Sequence, residues 1–157
     1  MKQLWKISEL RVCADGGANR LFDVSLPAER VPDIIVGDLD SLHQHVRSEY
    51  ESNGTKIIEI ADQNQHDLDK ALQAVATHGG TLPDGINAGD MTVLVLGAFG
   101  GRFDHEMAAI QTLYRHTHRF DRLILVGDTA LAELMVSFFL ILDLVYVSDA
   151  KLRCNVP

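Results

Sequence analysis

The chain has 157 residues, of which 46% are hydrophobic and 23% charged, and these values exclude an intrinsically disordered protein. Its 22 Asp and Glu residues outnumber 14 Lys and Arg residues, which gives a formal net charge of −8. An acidic chain is poorly suited to follow a phosphate backbone, so we expect no nucleic-acid partner. Two cysteines are too few for a disulfide framework, and the apolar run around Cys13 predicts a buried, unreactive thiol.

The sequence contains no segment that is typical of secretion or of a membrane span. Residues 1–11 lack the apolar core of a secretory signal. The longest apolar stretch, residues 134–147, is interrupted by Ser137 and Asp143 and is shorter than the roughly 20 residues that cross a bilayer. We therefore expect a cytoplasmic protein that does not associate with membranes.

Short apolar runs alternate with longer segments of mixed polarity along the chain. Runs rich in Val, Ile and Leu predict strands at residues 11–14, 33–36, 56–60, 92–96 and 122–126. Helices are predicted at residues 44–49, 67–76 and 103–115, the last with an apolar face of Phe103, Met107, Ile110 and Tyr114. This alternation indicates an α/β fold: an open, mostly parallel sheet with helices on both faces, in a Rossmann-like three-layer arrangement.

Aspartate residues follow four of the predicted strands. They are Asp15 after the first strand, Asp38 and Asp40 after the second, Asp62 and Asp67 after the third, and Asp104 after the fourth. Because ligands of open α/β sheets bind at the carboxyl ends of the strands, we expect these side chains to meet at one edge. Carboxylates gathered there repel one another, and Mg²⁺ with substrate phosphates would neutralise them. The pattern therefore predicts a magnesium–phosphate site.

Glycine pairs accompany the aspartates and support the same interpretation. Gly16-Gly17 and Gly100-Gly101 would let backbone N–H groups approach phosphate oxygens, and Arg102 would add a guanidinium that can fork onto a phosphate. Any single aspartate has an alternative interpretation as a helix cap or a turn residue. The sequence contains no P-loop motif, which excludes P-loop enzymes. It also lacks a G-x-G-x-x-G fingerprint, so the interpretation as a dinucleotide-binding oxidoreductase loses its main support.

Four motifs of the chain together resemble the eukaryotic type of the thiamin pyrophosphokinase family. They are RVCADGGANRL at residues 11–21, GDLDS at 37–41, Asp62-Gln63 with Asp67, and GGRFD at 100–104. The resemblance implies transfer of a pyrophosphoryl group from ATP to thiamin, with release of AMP. It also implies a Mg²⁺ cofactor, a homodimer, and an N-terminal α/β domain, here residues 1–135, that a β-sandwich domain follows in the family.

The resemblance also implies roles for individual residues. Asp38, Asp40 and Asp67 match the positions that hold Mg²⁺ and the triphosphate. The attacking hydroxyl would be oriented by a carboxylate such as Asp104 or Asp67. Other matched positions would contact the nucleotide, its phosphates or thiamin: Asp15, Gly16, Gly17, Ser41, Gln63, Gly100, Gly101 and Arg102.

Two alternatives remain open. Residues 136–157 do not resemble the family's β-sandwich and are expected to form an apolar tail without a domain of its own. In the first alternative, the chain is therefore a non-catalytic variant that keeps only a Mg²⁺–nucleotide half-site. A different Mg²⁺-dependent nucleotidyl or glycosyl transferase would also use Asp38 and Asp40, although the two glycine motifs argue against it.

Overall fold

The computed structural model describes residues 2–24, 29–62, 64–78, 87–136, 142–144 and 147–148. Its contacts divide the chain into two compact units, Met1–Asn87 (unit 1) and Ala88–Pro157 (unit 2). Across the described ranges, every helix is too short or too polar to cross a membrane.

Unit 1 alternates helices with strands. The helices are α1 (Lys2–Ile7), α2 (Gly17–Val24), α3 (Gln44–Ser52) and α4 (Asp67–His78). The strands are β1 (Val12–Ala14), β2 (Ile34–Gly37) and β3 (Lys56–Glu59), which pair in parallel in the order β1-β2-β3. The predicted strands and helices of this unit are confirmed, with small shifts at their ends.

The central strand β2 is buried on both faces because its side chains alternate between two cores. Ile35 packs with Tyr50 on the side of α2 and α3. Ile34 and Val36 pack with Ala71 of α4 on the opposite side. Unit 1 therefore has the predicted arrangement of a parallel sheet with helices on both faces.

Two titratable side chains lie in the core between the sheet and α3. Burial raises the pKa of the Cys13 thiol on β1 to about 12. Burial, with a smaller effect of Cys13, also raises the pKa of Tyr50 to about 12. Both groups therefore stay neutral near pH 7, which agrees with the prediction of an unreactive thiol.

Unit 2 has a mixed sheet. Its elements are β4 (Thr92–Leu96), α5 (Phe103–His116), β5 (Arg122–Val126), β6 (Ala130–Val136), β7 (Leu142–Leu144) and β8 (Val147–Ser148). The predicted parallel pattern holds for β4 and β5, whereas β6 is antiparallel to β5, and β7 and β8 are antiparallel to β6. The sequence does not reveal β6, because its Ala-Leu-Ala-Glu-Leu-Met stretch favours a helix until pairing with β5 imposes a strand. Of the predicted tail at 136–157, Val136 at the end of β6 and strands β7 and β8 lie within the described residues, and the rest lies outside them.

The prediction that the apolar face of α5 packs in the core is wrong. Phe103 is 75% exposed, Met107 48% and Tyr114 50%. The helix instead packs against β5 and β6 through four other residues: Ala109, Thr112, Leu113 and His116. The small side chain of Ala109 is compatible with close packing of the helix on the sheet, and the larger aromatic residues lie on the exposed side.

A bidentate ion pair joins β5 to β6 and makes the stability of the unit depend on pH in a testable way. Nε and Nη2 of Arg122 donate to the two carboxylate oxygens of Glu133 at 2.8 and 2.7 Å. These hydrogen bonds lower the pKa of Glu133 below its ordinary value of 4.5. The pair therefore stabilises the fold above that value and loses its contribution as the pH falls through the lowered pKa.

We expect Glu133→Gln to lower the Tm modestly at pH 7, because one partner of a partly exposed ion pair is neutralised. The difference from wild type should shrink as the pH falls below 4.5. Thermal unfolding of both proteins over a series of pH values measures this. A difference in Tm that stays constant down to the most acidic pH would contradict the assignment.

Candidate functional site

Three carboxylates of unit 1 meet where β1 and β2 end and α4 begins. Asp15 directly follows β1, Asp38 follows β2, and Asp67 is the first residue of α4. Each contributes an oxygen atom within 4.8 Å of the others. Parallel pairing places the carboxyl ends of β1 and β2 side by side, which brings the first two together. We call these three residues the acidic cluster, and the prediction that aspartates at strand ends meet is confirmed for them.

Asp15 is held in a left-handed turn that directs its carboxylate into the cluster. Its φ angle of +36° is uncommon for a residue other than glycine. Its N–H donates to the carbonyl of Val36 at 2.9 Å, and its own carbonyl accepts from Ala18 at 3.0 Å. Gly37 lies directly against it, since a Cβ added at Gly37 would come within 2.7 Å of the Asp15 Cβ. The turn therefore depends on the absence of a side chain at position 37.

We expect Gly37→Ala to destabilise the chain by about 1–3 kcal/mol, because the added methyl group overpacks the contact with Asp15. The displaced carboxylate should also weaken cation binding by the acidic cluster. Gly89→Ala is a suitable control, because a Cβ there meets no atom within 4 Å. Chemical denaturation measures both variants, and equal stability of the two would contradict the expectation.

The carboxylate of Asp15 is buried and only partly satisfied. The residue is 3% exposed, and burial together with the charge of Asp67 raises its pKa, although hydrogen bonds from Ser41 and Gly16 oppose the rise. Oδ2 accepts a hydrogen bond from the Ser41 N–H at 3.3 Å. Within the described ranges, Oδ1 is buried and has no hydrogen-bond partner. An oxygen in that state is costly unless a cation binds it, so the cluster fits a hard divalent cation.

A buried lysine lies behind the acidic cluster. Lys70 is 1% exposed, and its Nζ lies 3.1 Å from Oδ1 of Asp67 and 3.6 Å from Oδ2 of Asp38. Burial alone would lower its pKa, but the hydrogen bond and charge of Asp67, with those of Asp38, outweigh burial, and the pKa is raised. Sequence reasoning missed Lys70. Its spacing of three residues from Asp67 on a predicted helix is the signal that could have found it.

Asp40 and Ser41 lie beside the acidic cluster. Asp40 is exposed, its N–H donates to Oδ1 of Asp38 at 3.4 Å, and its own Oδ1 accepts from the Ser41 hydroxyl at 2.9 Å. The chain turns between Asp38 and Asp40 at Leu39, whose φ is +64°. The structure thus brings Asp38 and Asp67 together with Asp15, and the role of Asp40 as a metal ligand stays a prediction.

Asn19 of α2 fixes the loop that carries Ser41, a role that sequence reasoning did not assign. Its Nδ2 donates to the Ser41 carbonyl at 2.7 Å, and its Oδ1 accepts from the His43 N–H at 3.1 Å. Gly16 permits this close approach, because a Cβ there would lie 3.3 Å from the Ser41 Cβ. Gly17 begins α2. The first glycine motif therefore packs the loop after β2 against the start of α2.

The second glycine motif lies in unit 2, between β4 and α5. Gly100 has a φ of +92°, and the N–H groups of Gly100 and Gly101 donate to one oxygen of Glu106 at 2.8 and 3.3 Å. The Arg102 guanidinium forks onto Asp104, with 3.0 Å between Nε and Oδ1. This contact lowers the pKa of Asp104. These donors bind internal carboxylates here, so their contact with a phosphate stays a prediction.

Two further predictions about the site concern Gln63 and the second glycine motif. Gln63 lies outside the described residues. That residues 100–104 share a site with the acidic cluster stays a prediction.

Unit 1 is an α/β unit whose acidic cluster, beside the carboxyl ends of two parallel strands, supplies oxygen donors of the kind that can hold a divalent cation. The family model described as "Thiamin pyrophosphokinase, catalytic domain" matches residues 1–125. The chain belongs to the thiamin pyrophosphokinase family, and the resemblance found in its motifs is confirmed.

Individual relatives agree with this assignment. Thiamine pyrophosphokinase 1 of Oryza sativa subsp. japonica is 42% identical over 137 residues, which cover 80% of this chain and 50% of the relative. Thiamine pyrophosphokinase 3 of the same plant is 40% identical over 146 residues, 85% of this chain and 52% of the relative. The solved thiamin pyrophosphokinase from Candida albicans superposes with a TM-score of 0.74 at 30% identity, covering 84% of this chain and 55% of that one. The chain spans about half the length of the curated relatives that it matches.

Proposed function

We propose that the chain provides the Mg²⁺- and ATP-binding part of an enzyme that transfers a pyrophosphoryl group from ATP to thiamin. The products would be thiamin diphosphate and AMP. The observation that carries the proposal is the acidic cluster in a chain of this family, with an Asp15 oxygen that is buried and has no hydrogen-bond partner among the described residues. A cytoplasmic location, a homodimer, and a single nucleotide-binding domain over residues 1–135 belong to the same proposal.

Asp38 and Asp67 would hold the cation, with Asp15 or Asp40 as a further oxygen donor. Bound Mg²⁺ would neutralise charge on the phosphate oxygens, which is the main requirement of phosphoryl-group chemistry. The carboxylates of the acidic cluster would position the cation, and Ser41 lies next to them through its contacts with Asp15 and Asp40.

Arg102 and Asp104 would act as a pair whose partners change when substrate binds. The guanidinium side chain is 73% exposed and the carboxylate 61%, so that Arg102 can exchange Asp104 for a phosphate without opening a core. The released carboxylate of Asp104 would then be free to accept the proton of the attacking thiamin hydroxyl.

Two measurements test the proposal. Titration calorimetry with ATP, with and without Mg²⁺, is expected to show binding that requires the cation. An AMP-release assay is expected to show product only when thiamin is present. A lack of ATP binding at saturating Mg²⁺ would contradict the proposal. Mg²⁺-dependent binding without thiamin-dependent AMP release would support the alternative of a non-catalytic half-site.

A further inference from the structure

We propose that Lys70 is a positioning residue that serves as the built-in counter-ion of the acidic cluster. Its ammonium group would hold Asp38 and Asp67 in place before the cation arrives, and would reduce the charge that the cation must neutralise. This inference rests on the proposed function, since it concerns how the cluster receives its cation.

The burial of Lys70 decides between two roles that a lysine can have near a phosphate site. Such a lysine either contacts the phosphate or neutralises carboxylates of the protein. With 1% of its surface exposed, Lys70 offers almost no area to a ligand. Its Nζ lies 3.1 Å from Asp67 and 3.6 Å from Asp38, so the geometry favours the second role.

Helix α4 places the ammonium group of Lys70 beside the carboxylates of Asp38 and Asp67. Lys70 follows Asp67 by three residues, which puts both on the same side of the helix. Ala71 and Ala74 of the same helix are buried against Ile34 and Val36 of β2, and this packing fixes α4 beside the strand that delivers Asp38. The position of the lysine is thus set by the core rather than by a flexible surface contact.

The charges of the site match one divalent cation. Counted by formal charge, three carboxylates and one ammonium group give −2, which a single Mg²⁺ would balance. Without the ammonium group, carboxylate oxygens within 4.8 Å of one another repel more strongly, and a buried, uncompensated charge destabilises the fold. A divalent cation would then replace the lysine as counter-ion, and the stability of the chain would depend more steeply on Mg²⁺.

The experiment compares thermal unfolding of the full chain without divalent cations and with saturating Mg²⁺, at equal ionic strength. Lys70→Met removes the charge and keeps the length of the side chain. We expect it to unfold at a lower temperature without Mg²⁺, and to gain about 5 °C more in Tm from Mg²⁺ than wild type does. Arg122→Met is the matched control, because it breaks an ion pair with Glu133 in unit 2. Its Tm should fall with no change in the gain from Mg²⁺.

In a chain whose wild type binds Mg²⁺, a gain from Mg²⁺ in Lys70→Met that is no larger than in wild type would overturn the counter-ion role. Should that variant not fold in either condition, Lys70→Met combined with Asp67→Asn decides, because the pair of changes removes one charge of each sign. The counter-ion role predicts that this double variant folds. A double variant that also fails to fold would show that Lys70 is required for packing alone, and would overturn the proposal.

Calorimetric titration of the wild-type chain with Mg²⁺ keeps the two proposals distinguishable. Absence of Mg²⁺ binding would contradict the metal site of the proposed function. The comparison of the single and double variants without Mg²⁺ would still judge the counter-ion role, since that comparison needs no bound cation.

Discussion

Asp38→Asn is expected to weaken Mg²⁺-dependent binding of ATP by about 100-fold or more, while the fold is retained. The substitution removes a charged oxygen donor from the acidic cluster and leaves the size of the side chain unchanged. Lys70 keeps its closer partner, Asp67, at 3.1 Å, so the buried ammonium group is not left unpaired. Titration calorimetry with ATP at saturating Mg²⁺ measures the affinity, and circular dichroism monitors the fold.

Two further variants sharpen this test. Asp90→Asn changes an exposed aspartate of unit 2 and should bind ATP like wild type. Asp40→Asn examines the remaining sequence prediction: loss of binding would make Asp40 a ligand, and unchanged binding would leave Asp15 as the third donor. Unchanged affinity in Asp38→Asn would refute the assignment of the metal site.

Tyr50→Ala is expected to lower the free energy of unfolding by about 3–5 kcal/mol, as is typical when a large buried aromatic residue is truncated. Tyr50 is fully buried in the core formed by the sheet, α2 and α3. Its ring packs edge-on against Phe22, with 5.8 Å between the ring centroids. Denaturation by urea measures the loss.

Tyr50→Phe separates the ring from its hydroxyl group. In the described part of the chain this buried hydroxyl has no hydrogen-bond partner, so its removal should change stability by less than about 1 kcal/mol. A Phe variant as unstable as the Ala variant would show that the hydroxyl group, rather than the packing of the ring, accounts for the effect.

The elements of the fold could be predicted because their signals are local. The apolar run of β2 and the helical spacing of α4 each specify one structure within a few residues. The buried face of α5 could not be predicted in this way, because Phe103 and Ala109 both belong to rows with helical spacing. The choice between the two rows depends on how closely the helix approaches β5 and β6, which is a property of the packed unit.

The same distinction explains what could be predicted of the site. Asp38 and Asp67 were identified because carboxyl ends of strands and starts of helices are visible in the sequence. The arrangement of Asp15 and Asp40 depends on left-handed turns at Asp15 and Leu39, which residues other than glycine seldom adopt. Lys70 was not identified from the sequence because a lysine in a helix is ordinarily assigned to the surface.

The location of the acidic cluster within one unit has a consequence for the synthesis of the protein. Asp15, Asp38, Asp67 and Lys70 all lie in the compact unit Met1–Asn87. Ribosomes add about 5–20 residues per second, so several seconds pass while the segment from Ala88 to Pro157 is made. If the proposed cation site is correct, Mg²⁺ would bind the nascent unit during that time and shift its equilibrium toward the folded form by mass action. The supply of the cation would thereby influence the yield of folded protein as well as the chemistry.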